Sequence, residues 1–154
     1  MNADREARWM RLAIEEAEVA FKEGEVPIGA VVVLGDEVVG RGHNRTEKTG
    51  QPFEHAEIRA LWAATEAVGM HALEEAVLYS TIEPCVMCIG AVMLARIPRV
   101  VYGAKEPRTG ACESIFAIPH EPRLRPRIAV IGGVEEAKCR ELMQRFFEQR
   151  RAAS

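Results

Sequence analysis

The run VPIGAVVVLGDEVVG occupies residues 26–40. Its first nine residues are mostly apolar and rich in valine and isoleucine, which is typical of a strand covered on both faces. Gly35 and Asp36 then give a two-residue turn signal, and apolar residues resume through Gly40. We therefore predict a buried strand over residues 26–34 that forms a hairpin with the next strand.

Helical and extended patterns alternate on both sides of this hairpin. The periodicity predicts helices over residues 4–22, 55–68 and 85–95 and from about residue 134, and strands over residues 76–81, 99–103 and 128–131. In the 55–68 helix, Ile58, Leu61 and Trp62 belong to the recurring apolar positions. The alternation is typical of an α/β fold, and the absence of repeats and linkers indicates one domain over residues 1–154.

Composition limits the classes of protein that remain. The chain has 154 residues, is 48% hydrophobic and carries a net charge of −3, which argues against a general nucleic-acid binder. Residues 121–154, however, hold 8 basic and 5 acidic side chains. The start is charged and no apolar run approaches the ~18 residues of a membrane span, so we expect no membrane contact and a cytoplasmic location.

Two short motifs carry candidate metal chemistry: His55-Ala56-Glu57 and Pro84-Cys85-Val86-Met87-Cys88. Zinc accepts imidazole nitrogen and thiolate sulfur, and a catalytic site keeps one position open for water. Glu57 lies two residues after His55, too close on a helix to share its direction, so we expect it to act on the water as a proton carrier. The pattern matches the zinc nucleobase deaminase signature.

A structural zinc site or a redox motif is the alternative, because a lone C-x-x-C is common in both. A closed structural site needs a fourth protein ligand. The remaining cysteines and histidines are the candidates: Cys112, Cys139, His43, His71 and His120. Cys112 and Cys139 are more typical of buried thiols than of ligands.

Four segments extend the motifs to a family resemblance. These are residues 25–33, residues 42–45 followed by residues 55–58, and residues 81–88; residues 96–104, 109–111 and 146–151 agree with them. The chain resembles the cytidine deaminase superfamily and, within it, the bacterial tRNA adenosine deaminases. This resemblance implies a three-layer α/β/α fold with a central mixed sheet of about five strands.

The same resemblance implies roles for individual residues. Zn²⁺ would bind His55, Cys85 and Cys88, and Glu57 would be catalytic. Substrate would contact Asn44, Pro27, Ile28 and Ala56, while RNA would contact Lys105, Arg108, Arg150 and Arg151. The reaction would convert adenosine to inosine at the wobble position of a tRNA anticodon stem-loop, with ammonia leaving, and the enzyme would be a homodimer.

The chain departs from the family pattern beside the expected pocket. It has Gln51, Phe53 and Glu54 before the histidine, and Glu106 and Glu113 in a later loop. A deaminase of a free nucleobase or nucleoside, of the guanine or cytosine type, therefore stays open as an alternative. So does a zinc-stabilised binding module without catalysis.

Overall fold

Five strands form one mixed sheet in the computed structural model, which describes residues 2–153. The strands are β1 (Gly29–Leu34), β2 (Glu37–His43), β3 (Ala76–Ile82), β4 (Arg99–Ala104) and β5 (Ala129–Ile131), in the spatial order β2-β1-β3-β4-β5. β1 pairs antiparallel with both β2 and β3, whereas β3–β4 and β4–β5 are parallel. The expected mixed sheet and its hairpin are confirmed.

The helices cover both faces of this sheet. They are α1 (Ala3–Lys22), α2 (Thr46–Thr49), α3 (Ala56–Val68), α4 (Val86–Ala95) and α5 (Glu136–Ala153), with short 3₁₀ turns at Ala72–Glu75 and Ile118–His120. Side chains alternate across a strand, so Val31 and Val33 pack with α1 and α5, while Ala30 and Val32 pack with α3 and α4. Because both faces are covered, β1 needs apolar residues throughout, and the three-layer α/β/α fold is confirmed.

The hairpin begins later than predicted. The expected strand over residues 26–34 is wrong for its first three residues, because the Ile28 N–H donates to the Val26 carbonyl at 2.8 Å and closes a tight turn around Pro27. Proline has no N–H to offer a sheet. β2 runs further than predicted, to His43, and so delivers Asn44 to the end of the hairpin.

Two glycines of β2 let α3 lie directly on the sheet. A Cβ at Gly40 would be 2.2 Å from the Ala60 carbonyl oxygen, and one at Gly42 would be 2.5 Å from the Ala56 carbonyl oxygen. Ala60 and Ala64 therefore form the buried face of α3. The expectation that Trp62 shares the apolar face is wrong: it is 70% exposed, because the buried stripe passes through the small residues instead.

The last helix starts at Glu136 rather than near residue 134. Gly133 and Glu135 both have positive φ, 86° and 54°, and these turn conformations precede the first helical residue. Within residues 2–153, the helices are too short or too polar for any of them to cross a membrane.

Candidate active site

Two helix N-termini bring the candidate metal-binding motifs together. His55 is the residue before α3 and Cys85 the residue before α4, and both have extended backbones. His55 Nδ1 lies 3.6 Å from Cys85 Sγ and 3.5 Å from Cys88 Sγ, and the three ligand atoms lie within 4.8 Å of one another. Tetrahedral Zn²⁺ with ordinary bond lengths separates such N and S ligands by about 3.6 Å, so the donor set fits zinc.

No fourth protein ligand joins this group among the described residues. His43 instead contacts two carboxylates of the α1 end, Glu16 at 3.1 Å and Glu23 at 2.9 Å. Cys112 and Cys139 are buried, and burial raises the pKa of each thiol to about 12. A three-ligand group with an open position is the arrangement of catalytic rather than structural zinc sites.

The group is already organised to lose a proton from a thiol. A hydrogen bond with the Cys88 thiol, opposed by burial and helped by His55, lowers the pKa of Cys85 to about 4. The hydrogen bond with Cys85 in turn raises the pKa of His55 above its ordinary value. Thiolate is the form of cysteine that binds metal.

Glu57 lies beside this group, on the first turn of α3. It is 3% exposed, and burial raises its pKa to about 7. A carboxyl group with a pKa near neutrality can both take up and release a proton at physiological pH. Burial beside the His55, Cys85 and Cys88 group therefore suits Glu57 for general acid–base chemistry rather than for a fixed charge.

The candidate substrate residues come from two neighbouring segments. The Asn44 backbone N–H donates to the Ile28 carbonyl at 3.1 Å, so the end of β2 lies against the turn at Pro27. Asn44 and Pro27 are buried, and Ile28 is partly buried. Ala56 is fully buried at the first residue of α3, whose first turn packs on Gly42, two residues before Asn44.

Three of the four candidate RNA-binding residues line one groove. This groove, of about 620 Å³, lies between α5 and the segment after β4, and its wall includes Lys105, Arg108 and Arg151. Arg150 points elsewhere: its guanidinium donates to the Gly24 carbonyl at 2.5 Å and lies over the Phe146 ring. The structure thus separates two arginines that are adjacent in sequence.

The departures from the family pattern lie at the surface. Phe53 is 63% exposed, and Gln51 is exposed beside it. Glu54 forms an ion pair with Arg59 at 2.5 Å, which offsets its charge. Glu113 pairs with Lys105 at 3.6 Å, and Glu106 accepts a hydrogen bond from the Arg108 backbone N–H at 3.0 Å.

Glu83 precedes the Cys85 motif, but the residues around it in sequence indicate no role for it. Its carboxylate accepts five hydrogen bonds from residues 106–114. Burial opposes the charge, but the Ser114 hydroxyl and the backbone N–H groups of Ser114, Glu113 and Glu106 hold the pKa of Glu83 below its ordinary value. No local signal announces these partners, because they lie 23 or more residues away in the chain.

Comparison with known proteins agrees with this geometry. The MafB19-like deaminase family matches residues 4–151. A tRNA-specific adenosine deaminase of Streptococcus pyogenes is 43% identical over 143 residues, which cover 93% of this chain and 90% of that protein.

Solved structures agree as well. One from work on A-to-I editing by tRNA:A34 deaminases at the wobble position of transfer RNA is 41% identical, with a TM-score of 0.82, over 88% of this chain and 98% of that one. A guanine deaminase from Nitrosomonas europaea, 24% identical with a TM-score of 0.73 over 91% and 83% of the two chains, shares the fold alone.

Proposed function

This chain belongs to the MafB19-like deaminase family and to its tRNA-specific adenosine deaminases, and we propose from this premise that it converts adenosine to inosine at the wobble position of a tRNA anticodon. The observation that carries the proposal is the open group of His55, Cys85 and Cys88 with Glu57 buried beside it. Hydrolysis of adenosine at C6 consumes one water and releases ammonia.

Zn²⁺ is the metal that this donor set suits, with one imidazole and two thiols at tetrahedral spacing. Bound there, it would make a water molecule nucleophilic near neutral pH. His55 and Cys85 would hold it from two separate helix N-termini, so the position of the metal depends on how α3 and α4 pack together.

Glu57 moves the protons of the reaction. Its carboxylate takes one proton from the attacking water and passes it to the ring nitrogen N1. It then takes the remaining proton of the oxygen added at C6 and passes it to the departing amine, which leaves as ammonia. Burial raises the pKa of Glu57 above its ordinary value, which favours a carboxyl group that can both hold and release a proton. The buried position of Glu57 also keeps competing bulk water away from the transfer.

The base and ribose pocket is formed by Asn44, Pro27, Ile28 and Ala56. The amide of Asn44 offers both a donor and an acceptor to a nucleoside, and Pro27 and Ile28 give an apolar wall. The hydrogen bond between the backbones of Asn44 and Ile28 fixes these two sides relative to each other.

The groove beside α5 binds the phosphates of the anticodon stem-loop. The groove wall holds more basic than acidic side chains, in a chain whose net charge is negative: Lys105, Arg108, Arg140 and Arg151 against Glu106 and Glu148. Arg150 was expected to share this role, but its guanidinium donates to the Gly24 carbonyl just after α1. We assign the groove chiefly to Lys105, Arg108 and Arg151.

We also infer that one deaminase domain spans the chain and that two copies form a homodimer in the cytoplasm, where tRNA is available. Val86 and Leu94 of α4 present apolar side chains at the surface, and Leu94 is 85% exposed. Sedimentation velocity tests this: we expect a dimer for the wild-type chain and a monomer for Leu94→Glu. A monomeric wild-type chain would refute the dimer.

Deamination of a free base or nucleoside is the second candidate. The observation in its favour is Phe53, an exposed aromatic ring two residues before His55 that could stack on a small substrate. The neighbouring Glu54 does not add to this case, because Arg59 neutralises it.

Ammonia release and product mass separate these candidates. Zinc-loaded protein is mixed with an adenosine-containing anticodon stem-loop, free adenosine, guanine or cytosine, with Glu57→Gln as the control. We expect inosine only in the stem-loop, and none from Glu57→Gln even though that variant retains zinc. Product only from a free substrate would support the second candidate, and no turnover of any substrate would leave a zinc-stabilised binding module.

A further inference from the structure

Glu83 is a buried carboxylate, only 2% exposed. The proposed reaction does not use it. Oε1 accepts hydrogen bonds from the Glu106 backbone N–H at 3.1 Å and from the Ser114 hydroxyl at 2.5 Å. Oε2 accepts from the backbone N–H groups of Cys112, Glu113 and Ser114 at 3.0, 2.8 and 3.0 Å. One side chain therefore satisfies five donors from a single later segment.

That segment lies directly on the carboxylate. A Cβ at Gly110 would be 2.4 Å from Glu83 Cδ and 2.5 Å from each carboxylate oxygen, so a larger residue there would displace the Glu83 carboxylate from its donors. Gly110 also forms an antiparallel β-bridge with Cys85, and the Ala111 N–H donates to the Pro84 carbonyl at 2.9 Å. The segment is thus attached to the turn that carries a metal ligand, on one side through Glu83 and on the other through Cys85.

Residues 105–116, which we call the groove segment, carry the groups that face outward beside this turn. Lys105 and Arg108 line the groove against α5. Ile115 and Phe116 are about half exposed, and both backbone N–H groups donate to the Gly110 carbonyl, at 2.9 and 3.2 Å. The backbone that carries these cations and exposed apolar side chains is therefore held in position by Glu83.

We propose that Glu83 is a positioning residue for substrate recognition: it holds the groove segment at a fixed distance from the metal-binding turn, so that an RNA phosphate bound by Lys105 and Arg108 places the target base over the metal group. This inference rests on the proposed function for the identity of the substrate. A carboxylate suits the task because it only accepts hydrogen bonds, and five donors converge on it. Glutamine would turn an NH₂ group toward some of those donors.

Glu83→Gln tests the role, with Glu121→Gln as the matched control because Glu121 is an accessible carboxylate outside the segment. Three properties are measured: zinc bound per chain, hydrogen exchange of the amides of residues 106 and 112–114, and KM and kcat for the anticodon stem-loop. In Glu83→Gln we expect exchange and KM to rise about tenfold or more, with kcat changed less than about threefold and zinc unchanged. Glu121→Gln should match the wild-type chain in all three.

Ser114→Ala keeps the inference falsifiable if Glu83→Gln does not fold. It removes the hydroxyl donor alone, and we expect KM to rise about threefold at unchanged zinc content. The positioning role would be overturned if KM is unchanged in the folded variants. It would also be overturned if the variants lose zinc, because a change in KM would then follow from the metal. If the wild-type protein turns over the stem-loop and Glu83→Gln has the wild-type KM, this inference alone is refuted. If the wild-type chain is inactive, the proposed function is refuted and this inference with it.

Discussion

Gly42→Ala should displace the helix that carries the candidate catalytic residues. Gly42 lies on β2 under the first turn of α3, and an added Cβ would be 2.5 Å from the Ala56 carbonyl oxygen, where ordinary contact begins at 3.4 Å. α3 and β2 must therefore separate by about 0.9 Å for this contact to become an ordinary one. Overpacking of this kind costs about 1–3 kcal/mol, which corresponds to a fall in melting temperature of about 2–12 °C for a chain of this size.

The same displacement should affect the reaction more than the stability. His55 and Glu57 flank Ala56, so a shift of the first turn moves the candidate metal ligand and the proposed proton carrier together. A misplacement of about 1 Å can lower turnover by about 100-fold. We therefore expect Gly42→Ala to fold, to bind zinc more weakly and to deaminate the stem-loop about 100-fold more slowly.

Thermal unfolding, zinc titration and single-turnover deamination of Gly42→Ala and Gly90→Ala check this reasoning. Gly90, which lies within α4, is the control because a Cβ there meets nothing within 4 Å in the same chain. Since Gly90 shares the α4 face of Val86 and Leu94, both variants are also compared in the Leu94→Glu chain. Alanine favours the helix by up to about 1 kcal/mol, so Gly90→Ala should melt at or above the wild-type temperature. If Gly42→Ala melts with the wild-type chain and keeps its rate within about twofold, the close seating of α3 on β2 is refuted.

Three further outcomes are expected. Cys88→Ser should lose zinc, measured by elemental analysis, and should melt where chelator-treated wild-type protein melts, because metal binding contributes to folding; a variant that retains one zinc per chain would exclude Cys88 as a ligand. The pKa of Glu83 is lowered in the folded chain, so its carboxylate form stabilises the fold above pH 4.5, and this contribution is lost as pH falls through the native pKa. In urea unfolding between about pH 3 and 6, the free energy of unfolding should therefore fall less toward acid pH in Glu83→Gln than in the wild-type chain. Identical curves would contradict the assignment. Replacing Arg108 and Arg151 together by alanine should reduce the slope of log Kd for RNA against log salt by about 1.4, whereas Arg150→Ala, whose side chain contacts Gly24, should change it less; equal slopes in all proteins would remove the groove from RNA binding.

The sequence by itself determined the class of fold and the metal group. The valine run, the Gly35 turn and the alternation of helical and extended patterns are local signals, because strand and helix periodicities are set by the backbone geometry of neighbouring residues. The spacing of Cys85 and Cys88 and the His55 motif likewise predicted a three-ligand group, which the structure brings together at two helix N-termini. Each signal depends on residues that are close in the chain.

Tertiary structure decided which surfaces those elements present. Trp62 matches the apolar spacing of its helix, yet glycines 40 and 42 bring the small face of α3 against the sheet and leave the indole outside. Arg150 and Arg151 are neighbours in sequence, but the rotation of successive residues around a helix sends one to Gly24 and the other to the groove.

The partners of Glu83 show the same limit most directly. Its five donors come from residues 106–114, and no pattern near residue 83 indicates them. Which distant donors meet a buried carboxylate depends on the path of the intervening helix, strand and loop. A buried carboxylate is costly unless it accepts hydrogen bonds, and the same fold that buries Glu83 also brings the five donors to it.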